Sequence, residues 1–248
     1  MLIEEGSRFS QCLRRKIVLV SPAPRREDEI WFHPDLRSFY PELILTEHTI
    51  VRASVPLMRV AREQALRCAH AEIACRQLVS WLEKHLEEEA EHDEWLLQDL
   101  GHLGVSREAA LRRLPSPRVA QLVGSQYYWI QHVHPLALLG YIAVLEGEPI
   151  RREDLELAIV RTGLPRQAFR TFFEHSDLDG KHCQDIERLL DELPLSSEHQ
   201  TLISVSALLT AHWLSSVFRE LLGSYNQSAD RRPSISLHLM PKSPGAEH

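Results

Sequence analysis

The chain has 248 residues and a formal net charge of −7, with 44% hydrophobic and 25% charged residues. This balance is that of an ordinary globular protein, and the lack of a long Lys/Arg run argues against a nucleic-acid partner. The sequence contains no run of about 18 apolar residues, so no membrane helix is predicted, and residues 1–10 lack the pattern of a signal peptide. Four scattered cysteines without a Cys-x-x-Cys pair then predict reduced thiols in a cytoplasmic protein.

The composition along the chain predicts one domain with two irregular ends. Residues 1–34 are expected to be irregular, because a short apolar run at 17–20, a candidate strand, is stopped at once by Pro22. Residues 35–225 are expected to form a single helical domain. Residues 226–248 are polar and contain three prolines, which predicts a mobile tail.

Within the domain, apolar residues recur at helical spacing. The pattern predicts helical structure from Glu47 to Leu103, with Pro56 as the one internal breaker. No alternating strand pattern and no glycine-rich phosphate loop is present, so the predicted fold is all-α, with seven or eight helices in a bundle. Further helices are predicted at 119–133, 136–146, 151–162, 165–193 and 196–222.

A first group of acids and histidines lies in the acidic stretch before Leu100. His85, Glu89 and His92 are spaced four and three residues apart, and Glu88 lies three after His85 and four before His92, so a continuous helix places all four near one face. A charged helix surface in water has the same pattern, and taken alone this group is more typical of such a surface.

A second group follows near the end of the chain. His175, Asp179 and His182 are spaced i, i+4, i+7 and line up along one helix stripe, where a metal ion could contact all three. Between the groups, Glu146 ends an apolar helix, which predicts a carboxylate at the edge of the core.

Together these residues predict a metal centre with imidazole and carboxylate ligands. That combination suits iron or manganese, whereas a structural zinc site usually recruits thiolates. Facing helices of a bundle can direct such ligands inward to two metal ions, with carboxylates as bridges. The candidate ligands are Glu89, His92, Glu146, His175, Asp179 and His182, with Glu88 and His85 as further candidates.

In order and type, these residues resemble the heme-oxygenase-like di-iron oxidases and oxygenases. The likeness spans roughly residues 47–222, and its most specific element is the His-x-x-x-Asp-x-x-His motif that begins at His175. The resemblance implies a seven-helix bundle in which three core helices hold two irons. The first would supply His92 with Glu88 or Glu89, the second Glu146, and the third the histidine–aspartate stripe.

The resemblance also implies an activity. Such a centre uses O2 to oxidise a small organic substrate by N-oxygenation, desaturation or C–C cleavage, often in natural-product pathways, with electrons from an external donor. Manganese is the alternative metal, and His85 is an extra ligand or a partner of one. No catalytic residue beyond the metal ligands is predicted, and the oligomeric state is left open, with a homodimer as the candidate. Trp95, Tyr141, Phe172 and Phe173 are candidates to line the site, and plain core packing is the more common role of such residues.

Other interpretations stay open. A thiaminase-like hydrolase on the same bundle would need an active cysteine, for which Cys183 is the candidate. A cofactor-free oxidase on this bundle would not bind metal. A non-catalytic helical binding protein would carry the same acids and histidines as surface features. A ferritin-like fold is disfavoured because Glu-x-x-His occurs once, at Glu89.

Overall fold

The computed structural model describes residues 8–20, 30–147 and 150–230, without the side chains at 177–179 and 224–230. Helices, turns and loops make up this part of the chain, with no strand in it, which confirms the all-α prediction. In chain order the helices are α1 (Phe9–Val20), α2 (Leu36–Val51), α3 (Ser54–Cys68), α4 (Ile73–Glu88), α5 (His92–His102), α6 (Arg107–Arg112), α7 (Pro117–His132), α8 (Leu138–Leu145), α9 (Arg152–Thr162), α10 (Arg170–Glu192) and α11 (Ser197–Asp230), with 3-10 helices at Pro135–Ala137 and Arg166–Phe169.

The N-terminal segment contains a helix, α1, where the sequence predicted irregular structure and a short strand. Its apolar residues Phe9, Leu13 and Ile17 recur every four residues and face the core, with Leu13 only 1% exposed. Ser10 fixes the start of α1, since its backbone N–H and its hydroxyl both donate to the carboxylate of Asp191, at 2.9 and 2.8 Å. The irregular-segment prediction is wrong for this helix, and Pro22 lies outside the described residues.

The segment from 47 to 103 contains more breaks than predicted. The chain leaves helical structure at 52–53, 69–72 and 89–91. Pro56, the predicted breaker, lies in the first turn of α3, where proline is tolerated. The breaks turn the predicted long pattern into antiparallel neighbours such as α3 and α4, which pack on each other.

The turn between α3 and α4 is closed by a disulfide between Cys68 and Cys75. The prediction that all four cysteines are reduced thiols is wrong for this pair, while Cys12 and Cys183 keep their thiols. The spacing of the pair did not predict a disulfide, because cysteines seven residues apart meet only when the chain turns between them.

Helix α8 is held against α11 by a close approach of the two backbones. A Cβ atom added at Gly140 would lie 2.3 Å from the carbonyl oxygen of Ile203 and 2.7 Å from the backbone nitrogen of Ala207. Only glycine allows this distance. The contact sets the position of α8, and therefore of Glu146 directly after it.

The last helix, α11, continues to Asp230, beyond the predicted end of the domain at 225, and the rest of the predicted tail lies outside the described residues. Its part Ser197–Gly223 is long and apolar enough to cross a membrane, and 56% of its most apolar window is buried inside the protein. A central helix of a bundle has the same composition, and α11 packs on α1, α7 and α8.

Candidate metal centre

The first half of the candidate centre joins α4 to the end of α8. His85, in the last turn of α4, is 3% exposed. Its Nε2 lies 3.0 Å from Oε1 of Glu146. The ring of Trp81, one turn earlier, stacks on the His85 ring with centroids 4.3 Å apart. Two of the three ligand segments therefore meet in the interior.

The second half joins the start of α5 to α10. His92 is the first residue of α5 and is 2% exposed. Its Nδ1 lies 3.2 Å from Oε2 of Glu89 and 3.2 Å from Nε2 of His175. The ring of Trp95 covers His92, with centroids 4.2 Å apart. His92 thus contacts a second imidazole and a carboxylate, both of which can bind metal.

His182 lies between the two halves. It is 4% exposed, and its Nδ1 is 3.7 Å from Oε1 of Glu89 and 3.9 Å from Oε2 of Glu146. Glu89 therefore directs one oxygen at His92 and the other at His182. A carboxylate in this position can bridge two metal ions.

Asp179 is the one predicted ligand whose surroundings are not described, because its side chain lies outside the described part. Its backbone belongs to α10, one turn after His175 and one turn before His182. Asp179 stays a prediction from the spacing.

Glu88 and Glu89, which the sequence did not separate, differ in their surroundings. The Glu88 side chain is 23% exposed, and its Oε1 accepts from Nζ of Lys181 at 2.8 Å. Lys84 lies 3.6 Å from the same oxygen, although Oε2 of Glu88 is still 3.7 Å from Nδ1 of His85. The Glu89 side chain is 10% exposed and lies among histidines. The two lysines turn Glu88 toward the surface and make Glu89 the inner carboxylate.

The prediction that all four residues from His85 to His92 share one helix face is wrong. α4 ends at Glu88, α5 begins at His92, and Glu91 between them has the left-handed value φ = 71°. The chain changes direction there, so Glu89 caps one helix while His92 opens the next. Because of this break, the Glu89 side chain lies near both His92 and His182.

Burial and neighbouring charges set the protonation of the metal-free centre. Burial, helped by the neighbouring His92, lowers the pKa of His175 to about 4, so this imidazole is neutral near pH 7 with a lone pair available. Burial alone would raise the pKa of Glu89. The hydrogen bond and the charge of His92 lower this pKa by more than burial raises it, so the net shift is downward. Both groups are therefore in the form that binds metal.

His85 behaves differently. Burial alone would lower its pKa, but the hydrogen bond to Glu146 and the charge of that carboxylate outweigh burial and raise it. Any proton held on His85 must leave before its Nε2 can bind a metal ion.

The residues present fit a bound cation. Oε2 of Glu146 is buried and has no hydrogen-bond partner among the described residues. A buried carboxylate oxygen without a partner is costly, and a cation beside it removes that cost. His85, Glu89 and Glu146 each offer one ligand atom, all within 4.8 Å of one another. The donors are nitrogen and oxygen without thiolate, a set typical of iron or manganese.

Asp99 has a role that the spacing alone did not predict. It is fully buried, and its Oδ2 accepts from the backbone N–H of Thr171 at 3.0 Å. Asp99 thereby ties α5 to the first turn of α10, the helix that carries His175. Its position seven residues after His92 was the available signal, since that spacing keeps it on the same helix face.

The predicted aromatic residues divide between the centre and the core. Trp95 contacts His92, while Phe172 packs edge-on against Trp31 with centroids 4.9 Å apart. Tyr141 is 2% exposed, its hydroxyl has no partner among the described residues, and burial raises its pKa. Phe173 lines a separate cavity.

That cavity has a volume of about 350 Å³ and is rich in arginine. The guanidinium carbon of Arg170 lies 5.7 Å from the ring centroid of Trp95, and Trp95 in turn covers His92. A cavity lined by three arginines, of which Arg166 is paired with Glu156, therefore lies one aromatic ring away from the candidate ligands. Its charged lining is Arg152, Arg166, Arg170, His102, Asp99 and Glu174.

Cys183, the candidate nucleophile of the hydrolase interpretation, is 9% exposed. Its Sγ lies 3.6 Å from the carbonyl oxygen of Gly147 and accepts from Nη2 of Arg14 at 3.2 Å. These contacts join α10 to α1 and to the end of α8. They give the thiol a packing role beside the centre.

Comparison with known proteins adds a family. Residues 63–213 match the profile of a family described as iron-containing redox enzymes. A search among curated proteins found no match.

Solved structures with the same fold come from three bacteria. A domain of unknown function with a heme oxygenase-like fold from Shewanella denitrificans OS217 is 17% identical, with a TM-score of 0.69 over 89% of this chain and 91% of that one. A TenA homolog from Pseudomonas syringae pv. tomato is 11% identical, with a TM-score of 0.66 over 90% and 97%. A CADD-like protein of unknown function from Nostoc punctiforme is 14% identical, with a TM-score of 0.65 over 87% and 97%. At these identities the likeness shows the fold, and the predicted heme-oxygenase-like bundle is confirmed.

Proposed function

The chain belongs to the family of iron-containing redox enzymes, and from that premise we propose that it is a non-heme di-iron oxidase or oxygenase. It uses O2 to oxidise a small organic metabolite. The observation that carries the proposal is the meeting of His85, Glu89 and Glu146, each with a ligand atom within 4.8 Å of the others, beside a buried oxygen of Glu146 that has no hydrogen-bond partner among the described residues.

Two groups of side chains would hold the two irons. His85 and Glu146 belong to one position, and His92 and His175 belong to the other. Glu89 and His182 lie between them, and Asp179 would add a carboxylate from the same stripe of α10. Manganese suits the same donors and is the second candidate metal.

Iron bound there would supply the redox chemistry, passing electrons to O2 and accepting them from the substrate or from an external electron donor. Other residues of the chain shield and position the candidate ligands. Trp81 and Trp95 cover His85 and His92 and exclude water from one side of each ring. Lys84 and Lys181 hold Glu88 away from the centre, which keeps one carboxylate at the position between the two halves.

The substrate is proposed to be a small cytoplasmic metabolite with an acidic group. The arginine-rich cavity next to Trp95 supports this class, because guanidinium groups recognise carboxylates. N-oxygenation, desaturation and oxidative C–C cleavage are all compatible with such a centre. A natural-product pathway is the proposed setting.

The proposal is tested by anaerobic titration of the metal-free protein with Fe(II), followed by exposure to O2. We expect uptake of about two Fe(II) per chain, O2 consumption, and a transient visible absorbance. Neighbouring residues offer a matched pair of variants. Glu89→Gln is expected to lose at least one iron. Glu88→Gln, whose shortest contact is with Lys181 and whose nearest oxygen is 3.7 Å from His85, is expected to keep both.

Elemental analysis of the same samples gives the metal content independently of activity. A wild-type protein that takes up no iron contradicts the proposed function. A Glu89→Gln protein with full iron content, beside a depleted Glu88→Gln protein, contradicts the ligand assignment and leaves the function standing.

A further inference from the structure

A second group of residues that can bind metal lies outside the candidate centre, where α3, α4 and α11 meet the loop before the first 3-10 helix. We call it the thiol–imidazole cluster: Cys68, Glu72, Cys75, His134 and His199. Cys68 ends α3, Glu72 and Cys75 begin α4, His134 precedes Pro135, and His199 lies in the first turn of α11.

The donor atoms of this cluster lie at ligand-to-ligand distances. Cys68, Cys75 and His134 each offer one atom within 4.8 Å of the others. Sγ of Cys75 is 3.6 Å from Nε2 of His134 and 3.8 Å from Oε2 of Glu72. That oxygen of Glu72 is also 3.2 Å from Nε2 of His134. Two sulfurs and one imidazole therefore lie together, and the carboxylate of Glu72 contacts Cys75 and His134 at the edge of that group.

His199 stands behind Glu72. Its Nε2 lies 3.5 Å from Oε2 of Glu72, and its Nδ1 accepts from the backbone N–H of Ser196. With Nδ1 used as an acceptor, the proton of the neutral ring is on Nε2 and faces the carboxylate. His199 thus holds Glu72 in place, as partners of ligating carboxylates do in metal sites.

We propose that the reduced protein binds Zn²⁺ in this cluster through Cys68, Cys75, His134 and Glu72, with His199 as the positioning residue. Two thiolates, an imidazole and a carboxylate form a closed four-ligand set, which is the pattern of a structural zinc site. The site is distinct in chemistry from the iron centre, whose donors are nitrogen and oxygen alone. It does not depend on the proposed oxygenase activity.

The disulfide in the structure is the oxidised form of the same site. A dithiol reductant passes two electrons and two protons to the Cys68–Cys75 bond and leaves as its own disulfide. The two thiols formed then release their protons as they bind Zn²⁺. Because cytosolic dithiols keep most protein cysteines reduced, the metal-bound form is the one expected in such a compartment.

Metal binding has one local cost that can be measured. Nδ1 of His134 accepts from the backbone N–H of Leu136 at 3.3 Å. Once Nε2 binds the metal, the ring proton must move to Nδ1, and this hydrogen bond is lost. We therefore expect the amide proton of Leu136 to exchange faster in the metal-bound protein than in the metal-free one.

The test uses the full chain, reduced until four thiols are titrated under denaturing conditions. Co²⁺ is the probe, because thiolate ligands give a near-ultraviolet charge-transfer band that a nitrogen–oxygen site does not give. We expect the band to saturate at about one Co²⁺ per chain and to disappear when Zn²⁺ is added. The oxidised protein should show no such band.

Variants separate the ligands from the fold. Cys75→Ser is expected to abolish the band, and Cys12→Ser, which removes a thiol outside the cluster, is expected to leave it unchanged. His199→Ala is expected to weaken Co²⁺ binding by about 10–100-fold, as loss of a positioning partner does. His85→Ala should impair the iron centre and keep the band. A four-thiol wild-type protein without the band, or a Cys75→Ser protein that retains it, overturns the proposal.

Discussion

Asp99 is a buried carboxyl group with one oxygen satisfied and one without a partner in the described part of the chain. Burial raises its pKa above the ordinary value of 3.8, more than the hydrogen bonds from Thr171 lower it. The folded protein therefore holds this proton more tightly than the unfolded chain does. The stabilisation from Asp99 is complete below pH 3.8 and is lost as the pH rises through the raised pKa.

We predict that Asp99→Asn removes this pH dependence. Asparagine keeps an oxygen for the N–H of Thr171 and carries no charge, so at pH 7 the variant should be at least as stable as the wild type, by up to about 1 kcal/mol. Urea unfolding of the metal-free proteins between pH 4 and pH 7 measures the effect. Asp35→Asn, at an exposed position, is the control. A variant that unfolds at lower urea than the wild type at pH 7 contradicts the account.

The residue types of the centre could be predicted from the sequence, because imidazoles and carboxylates at helical spacing are a local pattern. The choice between Glu88 and Glu89 could not, since it depends on Lys181, which lies on α10 far along the chain. His85 was left as a further candidate for a similar reason. Its partner Glu146 is on another helix.

At the level of elements, the break between α4 and α5 could not be predicted from the sequence. Glu91 adopts φ = 71°, a conformation that glycine or asparagine usually supplies, so no turn residue announced it. Regular periodicity on both sides of the break predicted one helix. The breaks at glycine were predictable, as at Gly163, which ends α9 with φ = 61°.

Gly140 offers a second prediction at this scale. Gly140→Ala places a methyl group against the backbone of α11, which cannot give way as a flexible side chain would. We expect a loss of about 1–3 kcal/mol in the free energy of unfolding, together with weaker iron binding because Glu146 follows the same helix.

Gly124→Ala is the matched control for that substitution. It lies within α7 with no atom near the added methyl group, and alanine is the better helix former, so a gain of about 0.5–1 kcal/mol is expected. Chemical denaturation of both variants gives the comparison. Equal changes in the free energy of unfolding for Gly140→Ala and Gly124→Ala would contradict the claim that the contact with α11 requires glycine at position 140.

At the scale of the whole molecule, the all-helical bundle followed from periodicity and from the absence of strand patterns, which are local properties. The disulfide and the thiol–imidazole cluster did not follow, since Cys68, His134 and His199 come together only after the helices have packed. Contacts between residues far apart in the chain cannot be predicted from residue spacing within one helix.

We predict that Fe(II) stabilises the whole bundle under anaerobic conditions. Its candidate ligands lie in α4, α5 and α10 or directly after α4 and α8, so we expect unfolding of any of these helices to release metal. At a free Fe(II) concentration of 100 times the dissociation constant, the gain is about 2.7 kcal/mol. Thermal unfolding with and without Fe(II) measures it, and Glu146→Gln should abolish most of the shift. An unchanged melting temperature with iron bound would show that the unfolded chain binds iron as well as the folded protein does, which contradicts a centre formed by folding.

The close backbone contact between Gly140 and Ile203 also has a consequence for the synthesis of the protein. A ribosome has already added every candidate ligand, His182 included, before it reaches α11. Until residue 203 leaves the exit tunnel, α8 lacks the close backbone contact with α11 that fixes its position and that of Glu146. We therefore expect the candidate iron centre to form only after α11 has been synthesised, since a shorter nascent chain has the candidate ligands without this contact.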